Sequence, residues 1–327
     1  MNLTRNLLTI FVLLICSTCA QAQFDTVINL PEALTNPNPS GFSGNSIGDN
    51  AEIFSDTQLN VSDGGSVGDF LNLSASDPSS NNIEVNISGG TIGEGFESGI
   101  GSTVNISGGT LEGFRVGTGS IANLTGGSVE FLDVAGGTVN ISDGGGVRSF
   151  SELNGGTINI TGGRIDDDFG LFSGTLNIFG GVVGSIATST GGNPGNGTIN
   201  LSGGIFESGT AIGSGNTINI SGGTVSNFSA FSGSEVNVFG TEFFLSGTPV
   251  DNLILGETAI LELGEGVALS GLLADGTPFD FSISPNSGIR PGATLTVTLV
   301  PEPGIGLPLA MTSILSLSRR RKIASTL

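Results

Sequence analysis

The sequence has no His, no Trp and no Tyr, and its only two Cys residues, Cys16 and Cys19, lie near the N-terminus. Without His, neither a Ser-His-Asp nor a Cys-His catalytic arrangement can be built, and His is excluded as a metal ligand. Basic residues are also scarce: nine Lys and Arg stand against 29 Asp and Glu, so the net charge is −20. This balance excludes nucleic acid as a partner, because its recognition needs a basic surface.

Glycine, by contrast, is abundant, with 56 residues among 327. A collagen helix would place Gly at every third position, and the sequence does not. A disordered chain would be poor in apolar residues, whereas 37% of these residues are hydrophobic and the mean hydropathy is +0.27. The composition therefore predicts a folded chain with many tight turns.

Residues 1–22 have the three parts of a secretory signal peptide. Arg5 supplies the positive charge, residues 7–15 form a mostly apolar run, and small residues precede the expected cleavage point. The apolar run is too short to span a bilayer. Both Cys residues lie in this leader, so the exported chain is expected to contain no disulfide. The expected cleavage residues are Ala20, Ala22 and Gln23.

The body repeats one motif: a β-branched residue, Asn, an aliphatic residue, a small residue and then Gly-Gly, as in Val104-Asn105-Ile106-Ser107-Gly108-Gly109. The motif recurs every 17 to 19 residues except for two intervals, of 26 residues after Asn60 and 23 residues after Asn177. Self-similarity at a fixed period indicates a solenoid. Stacked Asn side chains are expected to hydrogen-bond along it. The anchor residues are Asn60, Asn86, Asn105, Asn123, Asn140, Asn159, Asn177, Asn200, Asn219 and Asn237.

Each repeat alternates apolar and polar residues with a period of two, which is typical of strands. We therefore predict an all-β fold: a parallel β-solenoid (β-helix) of about ten 18–19-residue coils, with three strands per coil, Gly at the corners and a small C-terminal β cap. Ten coils would give a rod about 50 Å long. An inward ladder of aromatic residues is expected in most coils, eight to ten residues after the Asn, at Phe70, Phe96, Phe114, Phe131, Phe150, Phe169 and Phe228, with Ile186 in the same file.

Proline supports this division of the chain, because a strand paired on both edges excludes it. Between residues 62 and 248 only Pro78 and Pro194 occur, and both fall in the two long intervals, which are therefore predicted to contain loops. The expected organisation is a signal peptide (1–22), an N-terminal cap (23–55), solenoid repeats (56–240), a β-rich C-terminal cap (241–299) and a tail (300–327).

The tail reads Pro-Glu-Pro, then a mostly apolar segment, then four adjacent cations. By the positive-inside rule, these cations would stay cytoplasmic while the preceding chain is exported. This order resembles the PEP-CTERM sorting signal of Gram-negative bacteria. The resemblance implies export by the Sec machinery, transient membrane residence of the tail and processing by exosortase. Its residues are Val300, Pro301, Glu302, Pro303, Arg319, Arg320, Arg321 and Lys322.

The sequence offers little that points to catalysis. Two facing carboxylates are needed for glycoside hydrolysis, yet the tightest acidic run, residues 166–168, would alternate between opposite faces of a strand. A lyase usually needs basic residues at its active site, and the best candidates here are Arg148 and Arg164, which lie one coil apart. No cofactor is predicted. Weak Ca²⁺ binding by scattered carboxylates stays open, although no Asp recurs at a constant offset as in calcium-binding β-rolls.

The expected function is thus that of an exported, non-catalytic structural or adhesive protein of the cell envelope, cell surface or extracellular matrix of a Gram-negative-type bacterium, with exopolysaccharide as a candidate partner. One alternative is a polysaccharide-processing β-helix enzyme. Another is a glycan- or ice-binding module that uses Thr residues two positions before the anchor Asn, although Thr is also simply favourable in an exposed strand. These are Thr103, Thr138, Thr157, Thr175, Thr198 and Thr217.

Overall fold

The computed structural model describes residues 24–30, 42–43, 45–73, 82–148, 151–166, 169–188, 195–207, 209–226, 228–262, 266–282, 288–302 and 321–324. Within these ranges the regular elements are all strands, and they join in one 30-stranded sheet. In chain order they are β1 (Thr26–Leu30), β2 (Phe42–Ser43), β3 (Ser46–Ile47), β4 (Glu52–Ile53), β5 (Thr57–Val61), β6 (Ser66–Val67), β7 (Asn72–Leu73), β8 (Ile83–Ile92), β9 (Phe96–Ser98), β10 (Ser102–Gly117), β11 (Ile121–Ala135), β12 (Thr138–Ile141), β13 (Gly146–Val147), β14 (Glu152–Ile160), β15 (Arg164–Ile165), β16 (Phe169–Ile178), β17 (Val182–Val183), β18 (Ile186–Thr188), β19 (Asn196–Phe206), β20 (Thr210–Ile212), β21 (Thr217–Val225), β22 (Phe228–Ala230), β23 (Glu235–Leu245), β24 (Thr248–Pro249), β25 (Thr258–Glu262), β26 (Ala268–Leu273), β27 (Pro278–Ser282), β28 (Gly288–Ile289), β29 (Thr294–Leu299) and β30 (Arg321–Ala324).

The strands wind into a parallel β-solenoid of about nine turns, which confirms the predicted fold class. Each turn, or coil, contributes to three faces. The Asn face carries the anchor Asn residues and is formed by β1, β5, β8, β10, β11, β12, β14, β16, β19, β21, β23 and β29. The second face follows the Gly-Gly corner and is formed by β3, β6, β8, β10, β11, β13, β15, β17, β19 and β21. The third face is formed by β4, β7, β9, β10, β11, β14, β16, β18, β20, β22 and β28.

The register places like residues on like residues. Asn105 pairs with Asn86 of the coil before and with Asn123 of the coil after. The about nine turns of the structure agree closely with the ten coils estimated from the anchor residues. The hydrophobic core fills the inside of the coil, where Val104, Ile106 and Leu111 are buried.

The predicted aromatic ladder is only partly correct. Phe96 and Phe114 are buried and stack with their ring centroids 4.7 Å apart, and Phe169, Phe228 and Ile186 are buried in the same file. Phe70 and Phe131, however, are 57% and 41% exposed.

Leucine takes the inward place in those two coils. Leu71 and Leu132 directly follow the exposed Phe residues and are buried, and Leu132 pairs in register with Phe114. Adjacent strand residues point to opposite faces, so a shift of one residue at this corner moves Phe from the core to the surface. Phe150 lies outside the described residues.

The two predicted proline loops, around Pro78 and Pro194, also lie outside the described residues. The strands on either side of each long interval nevertheless stay in register, because Asn60 pairs with Asn86 and Asn177 pairs with Asn200. The additional residues therefore do not disturb the stack.

Both ends of the rod depart from the regular coil. At the N-terminal end, β1 adds one more strand to the Asn face, and β2 and β3 form a short antiparallel pair, so part of the segment expected to be a cap continues the stack. At the C-terminal end, β23 turns into an antiparallel sheet with β26 and β27, while β29 pairs with β23 and β25. The Asp275 carboxylate, in the turn between β26 and β27, accepts a hydrogen bond of 2.8 Å from the Gly223 backbone N–H.

The Gly-Gly corners depend on a backbone conformation that favours glycine. The second Gly of the pair has a positive φ, for example +78° at Gly109. A Cβ atom at Gly109 would lie 2.8 Å from the carbonyl oxygens of Gly89 and Gly90 in the preceding coil. Each corner therefore excludes residues other than Gly for two reasons: its positive φ and the close contact with the neighbouring coil.

We expect Gly109→Ala to lower the free energy of unfolding by at least about 2 kcal/mol, because a left-handed conformation is costly for a residue with a Cβ and the corner leaves no room for one. The matched control is Gly146→Ala, since Gly146 lies in β13 and the nearest atom to its added Cβ would be 3.7 Å away. Urea unfolding followed by circular dichroism measures both. Equal losses would contradict the role assigned to the corner.

Candidate functional site

A continuous ladder of amide hydrogen bonds runs along the Asn face. In each coil the Asn Nδ2 donates to the Oδ1 of the Asn in the preceding coil, over distances of 2.7–3.0 Å. Asn29 of β1 begins this ladder, although sequence reasoning missed it because Pro31 rather than Gly-Gly follows its motif. The ladder residues are Asn29, Asn60, Asn86, Asn105, Asn123, Asn140, Asn159, Asn177, Asn200, Asn219 and Asn237.

A second file lies two positions after the Asn residues. Seven of its members are Ser or Thr residues whose hydroxyls bond to the backbone, whereas Phe179 and Phe239 take this place after Asn177 and Asn237. The Ser107 hydroxyl, for example, donates to the Ile87 carbonyl of the preceding coil at 3.4 Å. These bonds connect successive coils beside the Gly-Gly corner. The same contact is made by Ser62, Ser88, Thr125, Thr161, Ser202 and Ser221.

The Thr file, two positions before each Asn, differs in this respect. Five Thr residues stack directly on one another, and Ile121 separates them from Thr103. All six Thr side chains are partly exposed, and none of their hydroxyls makes a hydrogen bond to another protein group in the described part of the chain. The five stacked residues are Thr138, Thr157, Thr175, Thr198 and Thr217.

Charge is segregated among the faces. From Thr103 to Ser221 the three outward files of the Asn face, all of them described, hold no charged residue. The Thr file becomes acidic only beyond this stretch, at Glu84 and Glu235. An uncharged area seven coils long is thus present on a chain whose net charge is −20.

The other two faces carry ion pairs. On the third face, Arg115 lies 3.6 Å from Glu97 and 3.7 Å from Asp133, in the coils on either side of it. On the second face, Arg148 lies 3.8 Å from Glu130.

Arg164, also on the second face, is the most tightly held of these cations. It is bonded to Asp166 of its own strand segment and lies 2.7 Å from Glu207, two coils further along. The hydrogen bonds that the Arg164 guanidinium donates to Glu207 and Asp166 raise the pKa of Arg164 above its ordinary value. Arg148 and Arg164, the two residues considered for a lyase, are therefore both engaged by carboxylates. Asp167 and Asp168 lie outside the described residues.

Among the described residues, no group of three or more Asp and Glu side chains is placed to hold a metal ion.

The whole of the predicted leader lies outside the described residues, and the predicted tail is described only in part. Ala20, Ala22, Gln23, Pro303, Arg319 and Arg320 lie outside the described residues. At Val300 the backbone N–H still bonds to the Gly240 carbonyl, and the next two residues, Pro301 and Glu302, are exposed, so the chain leaves the sheet at the start of the Pro-Glu-Pro motif.

Arg321 and Lys322 belong to β30, which pairs in parallel with β25. This pairing places them beside the body of the protein. The part of the chain that the structure describes contains no helix of sufficient length and apolarity to cross a membrane.

In comparisons with known proteins, no family model, no curated protein and no solved structure matches the chain.

We expect Asn159→Leu to lower the free energy of unfolding by about 1–2 kcal/mol, because it removes one hydrogen bond to Asn140 and one from Asn177. Thr157→Val is the matched control: it also exchanges a polar group for an apolar one of similar size on the same strand, and we expect it to change stability by less than about 0.5 kcal/mol. If urea unfolding gave the two variants the same loss, the ladder would not be a main source of stability on this face.

Arg164→Gln tests the ion pairs of the second face. Since the Arg164, Asp166 and Glu207 side chains are each about 45% exposed, the expected loss of stability is no more than about 1 kcal/mol and should shrink as salt is added. Arg148→Gln, which breaks a longer contact, should cost less at low salt. The measurement is urea unfolding at low and at 1 M salt. A loss for Arg164→Gln that is unchanged by salt would contradict an electrostatic origin.

Proposed function

We propose that this chain is an exported, non-catalytic structural or adhesive protein of the cell envelope or extracellular matrix of a Gram-negative-type bacterium. The observation that carries the proposal is the uninterrupted stack. One amide ladder and one parallel register continue through every coil, so the body is a stiff rod without a hinge in its described part. A rod of this kind suits spacing and adhesion, which require length and a repeated surface.

The arrangement of charged groups also supports a non-catalytic role. A polysaccharide lyase would need a basic residue able to reach its substrate, and an inverting or retaining glycosidase would need two carboxylates facing one cleft. Here Arg115, Arg148 and Arg164 are each held by carboxylates. Five carboxylates are in turn engaged in these ion pairs, those of Glu97, Glu130, Asp133, Asp166 and Glu207.

The proposal that the chain is exported and sorted is based on the two ends of the sequence. The leader would direct the chain to the Sec machinery, and the tail resembles a substrate of exosortase. In the membrane-inserted state the cations of the tail would remain cytoplasmic, so β30 could not pair with β25 of the exported body in that state. The exposed Pro301 and Glu302, directly after β29, would then be open to a processing enzyme.

The test is localisation in the bacterium that produces the chain. We expect the body to reach the cell surface or the matrix, and neutralisation of the tail cations (Arg319→Gln, Arg320→Gln, Arg321→Gln and Lys322→Gln together) to leave it in the inner membrane or periplasm. The control is Arg115→Gln with Arg148→Gln, which removes cations from the body instead. Fractionation and protease accessibility of whole cells report the result. Unchanged sorting of the tail variant would contradict the proposed role of the tail as a sorting signal.

A second arm tests the absence of catalysis. The full chain is incubated with acidic and neutral polysaccharides, and the release of reducing ends and unsaturated products is followed. We expect no release above the blank. Product formation that depends on the chain would overturn the non-catalytic role and favour the enzyme alternative.

A further inference from the structure

We infer that the Asn face is a docking surface for a neutral polysaccharide chain. This inference deepens the proposed function and rests on it, because a chain that is exported to the envelope or matrix would meet such polymers. The docking surface consists of the three outward files of the Asn face between Thr103 and Ser221.

The hydrogen-bonding groups of this surface are the first argument. Each Asn amide nitrogen carries two N–H donors, and from Asn105 to Asn237 the ladder uses one of them. In six of these coils, a Thr hydroxyl that makes no hydrogen bond to the described protein lies beside the Asn amide. A hydroxyl is both donor and acceptor. Sugar hydroxyls, which are also both, would find complementary partners on this face.

The repeat of these groups is the second argument. An amide N–H and a Thr hydroxyl recur in every coil from Thr138 to Thr217, at the roughly 4.8 Å spacing of neighbouring strands. A flat row of identical, half-exposed groups offers little to a single small molecule. It suits a polymer, because weak contacts at successive coils add when one chain spans them all.

Charge selects among polymers. An anionic polysaccharide approaching a chain of net charge −20 is repelled. The surface itself is free of charge over seven coils, so a neutral polymer meets no such opposition. The same repulsion disfavours a second copy of this chain as the occupant, since both copies carry the full negative charge.

The sequence of the file shows how to disrupt the surface without disturbing the fold. Glu84 and Glu235 occupy the same file as the Thr residues, so the stack accommodates a Glu at this position. Thr157→Glu with Thr175→Glu therefore places two charges in the centre of the surface. Thr91→Glu with Thr110→Glu is the matched control, because these residues are exposed on the second face and the change in net charge is the same.

The experiment is affinity electrophoresis of the full chain in gels that contain soluble polysaccharides in two matched pairs: hydroxyethyl cellulose against carboxymethyl cellulose, and dextran against dextran sulfate. We expect retardation by at least one neutral member and none by its anionic counterpart. The Thr157→Glu, Thr175→Glu variant should weaken the apparent affinity at least tenfold, and the Thr91→Glu, Thr110→Glu control less than twofold. Thr157→Val with Thr175→Val, which keeps the shape but removes two hydroxyls, should weaken it three- to tenfold.

Several results would overturn the inference: no retardation by either neutral polymer, equal retardation by the anionic ones, equal effects of the two Glu variants, or self-association that disappears in the Thr157→Glu, Thr175→Glu variant. Binding to ice crystals by the same face without binding to either neutral polymer would also overturn it. These failures are distinct from failure of the proposed function. A chain that reaches the surface but does not bind neutral glycans refutes only the docking surface, whereas a chain that is never exported refutes the function whatever it binds in vitro.

Discussion

Each coil of the solenoid must return its strands directly above those of the coil before, because the backbone hydrogen bonds between coils form only in register. Asn stacking on Asn reinforces this requirement, since an amide of fixed length can reach its neighbour only when the coils are aligned. The positive φ at the second Gly of each pair lets the chain reverse direction within a short corner, so that the next strand begins in register with the coil before. The Gly-rich, Asn-rich composition is the consequence of that constraint.

The constraint also explains how the surface is divided. Positions that stack on themselves along the rod bring like residues together, and a file of carboxylates would repel itself at the spacing of neighbouring strands. On the third face Arg115 lies between Glu97 and Asp133 of the neighbouring coils, although Asp133 then pairs in register with Glu152 of the next coil. The Asn face avoids this repulsion because its outward residues from Thr103 to Ser221 are uncharged, and its Asn side chains hydrogen-bond to one another. It is therefore both the most regular and the least charged part of the rod.

Much of this arrangement was readable from the sequence, because the period, the Gly-Gly corners and the placement of proline all express the same register. The Phe ladder failed at Phe70 and Phe131 because the length of one corner decides which of two adjacent residues points inward, and no local pattern reports it. Asp275 was not foreseen, since its partner Gly223 lies 52 residues away. The charge-free surface did have a sequence signal, namely the lack of Asp and Glu at three fixed offsets across seven repeats.

The most direct test of the account measures the rise per coil. Both Cys residues lie in the predicted leader, so pairs of Cys introduced on the second face of the mature chain can be spin-labelled selectively and their separations measured by pulsed electron paramagnetic resonance. Thr110 and Thr224 are six coil-to-coil steps apart, which predicts a separation of about 29 Å. Replacing Thr110 by Thr91 adds one step and should add about 5 Å, and replacing it by Ser128 should subtract about 5 Å. Separations that do not change by equal increments would contradict the solenoid and everything inferred from its Asn face.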